Sequence, residues 1–114
     1  MLYHRIVQNL IEKNLFKGKI IVVYGARRVG KTTLMKQIQV KFPGSKYINC
    51  DLLQYKSVLE TTNSELLRDF LGNTKLLILD EAQNIKDIGR ILKIIADTFP
   101  GVQVIATGSS SFEL

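Results

Sequence analysis

One cysteine, Cys50, stands in 114 residues, so no intrachain disulfide can form, and the chain suits a reducing cytoplasm. Nor does any apolar run approach the roughly 18 residues needed to span a bilayer. The N-terminus, Met-Leu-Tyr-His-Arg-Ile-Val-Gln-Asn, lacks the apolar block of a signal peptide. Repeats, low-complexity tracts and linkers are absent, which leaves one small domain with one core. Acids are scarce at the start. Residues 1 to 46 hold ten Lys or Arg against the single acid Glu12, whereas residues 47 to 114 hold six basic against nine acidic residues. Part of that basic excess fits a polyanionic ligand, and the rest admits nucleic acid as a further partner. Aromatic residues do not interleave with the basic ones as a single-strand surface requires, so solvated lysines on helix faces are the plainer account.

What is present is concentrated in residues 25 to 33, Gly-Ala-Arg-Arg-Val-Gly-Lys-Thr-Thr. They fit G-x-x-x-x-G-K-[ST], the phosphate-binding loop of nucleotide hydrolases. Lys-Ile-Ile-Val-Val-Tyr, residues 19 to 24, reads as a buried strand before it, and Leu34 to Ile38 read as helix after it. Strand, glycine loop and helix are the context that such a site needs. Gly25 and Gly30 let successive backbone N–H groups turn inward, forming a nest for anions. The helix opening near Lys31 adds its positive end. On this reading Gly25, Ala26, Arg27, Arg28, Val29, Gly30, Lys31, Thr32 and Thr33 bind the nucleotide. Lys31 reaches the β- and γ-phosphates, Thr32 offers its hydroxyl to Mg²⁺, and Thr33 lies near the α-phosphate. Arg27 and Arg28 occupy variable positions, open to phosphate, a partner, nucleic acid or solvent.

The rest of the chain alternates. Tyr3, Ile6, Val7, Leu10, Ile11 and Leu15 fall at helical spacing, predicting an amphipathic helix over 2–15. A helix over 31–42 ends at Pro43-Gly44, and 46–50 reads as a second strand that Cys50 closes as a small buried residue. Residues 52 to 63 stay open between loop and short helix. Ser64 is the expected N-cap of a helix closed by Gly72. Lys75 to Asp80 form a third strand, apolar without alternation, as in a strand covered on both faces. Ile88, Ile91, Leu92, Ile95 and Phe99 mark another helix, and Val102 to Thr107 a fourth strand. The pattern predicts an α/β fold, a three-layer parallel P-loop sheet, with an N-terminal helix in residues 1–17 and the core in 18–114.

The third strand ends in Asp80-Glu81, a Walker B pattern about 45 residues after the loop. In a parallel sheet the carboxyl ends share one edge, where ligands bind. Asp80 is therefore expected at Mg²⁺ with Thr32, and Glu81 as the base that orients and deprotonates the attacking water. Thr107, Ser109 and Ser110 end the fourth strand on the same edge. A hydroxyl there would sense the γ-phosphate, Ser109 first; a plain polar turn is the alternative.

Gly-Ala-Arg-Arg-Val-Gly-Lys-Thr-Thr-Leu, Leu-Asp-Glu-Ala-Gln-Asn-Ile and Ile-Ala-Thr-Gly-Ser-Ser-Ser, in that order, resemble the prokaryotic AAA-like ATPase family. Members of that family carry an uncharacterised C-terminal domain, and the family is related to the archaeal ATPases. The resemblance implies a sheet of order 5-1-4-3-2, Walker roles for Lys31, Thr32, Asp80 and Glu81, and a sensor in Gly108-Ser109-Ser110. It also implies an N-terminal helix near the adenine pocket. The fifth strand, the arginine sensor of the helical lid and the C-terminal domain have no counterpart here. We therefore expect a fragment with order 1-4-3-2, whose first strand lies at an exposed edge open to a protein partner or a second copy. The expected activity is Mg²⁺-dependent hydrolysis of ATP to ADP and phosphate in the cytoplasm. Alternatives are a nucleotide-gated switch or nucleic-acid-binding module with incidental turnover, and a small-molecule phosphotransferase. The latter would need an acceptor site and an arginine-rich lid.

Overall fold

Leu76–Asp80 forms the strand β3, in which all five residues are buried. An apolar run without alternation is explained by its place in the middle of a sheet covered on both faces. The computed structural model describes residues 2–25, 30–61 and 63–108. Around β3 lie the other strands, β1 (Ile21–Tyr24), β2 (Ser45–Asn49) and β4 (Gln103–Gly108). The helices are α1 (Leu2–Lys13), α2 (Lys31–Lys41), α3 (Leu53–Leu59), α4 (Ser64–Leu71) and α5 (Ile88–Thr98). Sheet order is β1-β4-β3-β2 and every pairing is parallel; the alternation of strands and helices predicts the parallel pairing, and the order is the one expected from the family resemblance without its fifth strand.

Side-chain alternation assigns the two faces. Leu77 and Leu79 of β3, Val104 and Ala106 of β4 and Ile48 of β2 pack with Ile88, Ile91, Leu92 and Ile95 of α5. Leu59 and Leu71, from α3 and α4, close the same layer. On the opposite face Leu76, Ile78 and Ile105 pack with Leu34, Met35 and Ile38 of α2 and with Ile11 and Leu15. Val23 and Tyr47 flank this second layer. Burying each such large apolar side chain contributes about 1.5–3 kcal/mol before entropy is counted.

Several boundaries differ locally from the sequence reading. The first helix ends at Lys13, and the chain turns through Phe16 at φ 58°. Gln103 secures that turn: its Oε1 accepts from Phe16 N at 2.7 Å and its Nε2 donates to Lys19 O at 2.7 Å. Residues 52 to 63 resolve into the short helix α3. The N-cap of α4 is Asn63, not Ser64. The Asn63 carboxamide oxygen accepts from Glu65 N at 2.9 Å and Leu66 N at 3.3 Å, leaving Ser64 as the first helical residue. Two adjacent capping types compete, and the one whose backbone stays extended wins.

Among the described residues β1 pairs with β4 alone, so it forms a sheet edge. Val7, Leu10, Ile11 and Asn14 of the N-terminal region face residues 20–24 across an open groove along that edge. This agrees with the edge position expected of the order 1-4-3-2.

Candidate nucleotide-binding site

Parallel topology brings the carboxyl ends of β1, β4 and β3 side by side, and Lys31 joins them. Its Nζ donates to Gly25 O at 2.8 Å, just past β1, and to Gly108 O at 3.0 Å, the last residue of β4. It also lies 3.3 Å from Glu81 Oε1, just past β3. Lys31 is only 4% exposed. A buried ammonium requires such partners, because its desolvation is otherwise costly.

Gly30 precedes α2 in the left-handed region at φ 81°. A side chain there would be strained, which is why glycine stands at this turn. Gly30, at the N-cap of α2, makes no side-chain cap bond, and the first N–H groups of a helix favour an anion. Thr32 and Thr33 lie exposed in that first turn. The predicted phosphate-loop residues Ala26, Arg27, Arg28 and Val29 lie outside the described residues, as do the predicted sensor Ser109 and its neighbour Ser110.

Asp80 is the hub. Thr32 Oγ1 donates to its Oδ2 at 2.7 Å, which ties the start of α2 to the end of β3. Tyr47 donates its hydroxyl to the same oxygen. Thr107 Oγ1 donates to Oδ1 at 2.6 Å. The alternation explains the convergence. Tyr47 stands opposite Ile78, two residues before Asp80, so Tyr47, Asp80 and Thr107 share the α2 face of the sheet. Burial pushes the Asp80 carboxyl up, but the bonds from Thr107, Tyr47 and Thr32 and the charge of Lys31 outweigh it and hold it below its ordinary value. Burial and the bond to Asp80 push the Tyr47 hydroxyl up. Cys50 is raised to about 12, first by burial and then by the charge of Asp80.

Glu81 sits in the left-handed region at φ 58°, 7% exposed. Its backbone N donates to Thr107 Oγ1 at 3.1 Å. Its Oε2 accepts from Gln83 Nε2 at 2.6 Å. Lys31, Thr32, Asp80 and Glu81, read from separate motifs, are thus one cluster. Thr107 belongs to it in another way than the sequence suggests: its hydroxyl serves Asp80 and Glu81. Tyr47 and Gln83 escaped the sequence reading. Only the β2–β3 register reveals Tyr47, and register is not written in either strand alone.

Among the described residues no group of three or more His, Cys, Asp or Glu is placed to hold a metal ion unaided. One carboxylate beside one hydroxyl is instead the donor set of a magnesium that keeps its waters and completes its shell with phosphate oxygens. Asp80 and Thr32 fit that ion.

Residues 17–114 match the AAA domain family. The chain is 30% identical over 117 residues to an uncharacterised protein of Methanocaldococcus jannaschii, covering 94% of this chain and 25% of that protein. A second uncharacterised protein of the same archaeon is 30% identical over 109 residues, covering 86% of this chain and 23% of its own length. The chain thus spans about a quarter of the length of these curated relatives. With a parallel 1-4-3-2 sheet and a match over residues 17–114, the chain belongs to the AAA domain family.

Proposed function

We propose that this chain is an ATP-binding module whose site, in the complete protein, hydrolyses ATP to ADP and phosphate with Mg²⁺. The observation that carries this reading is the meeting of Lys31, Thr32, Asp80 and Glu81 at the carboxyl edge of one parallel sheet. A triphosphate lies at the start of α2, held by the backbone N–H groups that follow Gly30. Lys31 releases Glu81 and turns its ammonium to the β- and γ-phosphates. The Thr32 hydroxyl donates its hydrogen bond to Asp80 Oδ2 and keeps its proton, which leaves its own oxygen lone pairs for a cation. Magnesium, when bound, neutralises charge on the β- and γ-phosphates. Glu81, once freed, accepts a proton from the water that attacks the γ-phosphorus. Phosphorus–oxygen bond formation to that water then accompanies departure of ADP.

The test is binding of a fluorescent ATP analogue, with and without Mg²⁺, to the chain and to Lys31→Ala. Binding that strengthens with Mg²⁺ and needs Lys31 supports the reading; equal affinity in the variant rejects it. Phosphate released from ATP without an added acceptor distinguishes hydrolysis from transfer to a small molecule.

A further inference from the structure

We propose that Tyr47 is a positioning residue for magnesium: its hydroxyl, bonded to Asp80 Oδ2, fixes the carboxylate that faces the cation site beside Thr32. This rests on the nucleotide reading above and adds a residue that neither Walker motif contains.

The geometry is specific. An ionised carboxylate offers about four lone-pair positions. In Asp80 three of them are taken by Thr32, Tyr47 and Thr107, from three different elements. Thr107 holds Oδ1 from the β4 side, and Tyr47 holds Oδ2 from the β2 side. Neither torsion nor tilt of the carboxylate is left free, and what remains of its acceptor capacity has a set direction. Asp80 is 2% exposed, so bulk water cannot take over a lost donor.

Tyr47 is itself held. Its position on β2 is fixed by the pairing with Ile78, and its ring packs against the layer formed by Ile38 and Ile78. Lys36 Nζ lies 5.4 Å from the ring centroid. Lys36 follows Thr32 by four residues on α2, so both project from the same side of the helix. Thr32 and Lys36 therefore meet the two ends of one tyrosine, the hydroxyl end through Asp80 and the ring face directly. The phenol is a strut between α2, β2 and the end of β3.

Tyr47→Phe removes the hydroxyl and retains the ring with its packing and its contact to Lys36. The measurement is the Mg²⁺ concentration that half-maximally tightens binding of a fluorescent ATP analogue, with thermal unfolding of both proteins alongside. Loss of a group that orients a metal's ligand weakens metal affinity about 10- to 100-fold. The expected result is a midpoint raised about 10-fold in Tyr47→Phe, with the loss confined to the Mg²⁺-dependent part of the affinity. An unchanged or lowered midpoint overturns the proposal. So does an equal loss of affinity with and without Mg²⁺, which would mark Tyr47 as a purely structural residue. A parent chain indifferent to both Mg²⁺ and Lys31→Ala overturns the nucleotide reading itself, a result distinct from either.

Discussion

Lys31 Nζ and Glu81 Oε1 stand 3.3 Å apart, both on nearly buried side chains. The cation expected at phosphate and the carboxylate expected at water thus occupy each other in this conformation. On the proposed reading a triphosphate draws Lys31 away from Glu81, since one ammonium cannot serve both anions at full strength.

Neutralising Glu81 should therefore separate binding from turnover. Glu81→Gln is expected to bind a fluorescent ATP analogue a few-fold more tightly, because Lys31 loses a competing anion. Phosphate release should fall about 100-fold or more, the usual contribution of a general base. Weaker binding in the variant would show that the ion pair does not restrain Lys31.

Asp80 sets an acid limb on stability. Its native carboxyl titrates below its ordinary 3.8. The stabilisation is complete above that ordinary value and is lost as pH falls through the native one. Urea unfolding from pH 6 to pH 3 should show this decline in the parent chain and a shallower one in Asp80→Asn. Parallel curves would mean that other carboxylates carry the acid response.

Cys50 sets an alkaline limb of opposite sign. Its thiol is raised from 9.0 to about 12, so the native chain keeps the proton that the unfolded chain releases. Its stabilisation is whole below about pH 9 and declines above it by up to about 1.4 kcal/mol per pH unit. Cys50→Ala should flatten the fall between about pH 9 and 10, read by urea midpoints. In the folded chain at pH 8 the buried thiol should alkylate far more slowly than in the denatured chain.

The start of α4 offers a local test. Asn63→Ala should cost about 1 kcal/mol, because it removes both cap bonds to Glu65 N and Leu66 N. Ser64→Ala should be nearly neutral, since Ser64 is already helical. Equal losses in thermal or urea unfolding would restore Ser64 as the cap.

The amino-acid order by itself determined the elements other than α3, and the motif positions. The run Leu76 to Leu79 is apolar at every position, which marks a central strand wherever it sits in a chain. Gly30 before Lys31-Thr32 marks a turn that a side chain would strain. These are local properties, set by backbone sterics and by burial on one or both faces, and the parallel order followed from the alternation of strands and helices together with the family resemblance. Tertiary structure decided what the residues do to one another. Lys31 reaches Gly108 across 77 residues and Thr32 reaches Asp80 across 48. Tyr47 meets Asp80 because β2 pairs with β3 in one register; a shift of one residue would turn the phenol to the α5 face. Periodicity says that a residue faces inward, whereas only the pairing of strands says which carboxylate it finds there.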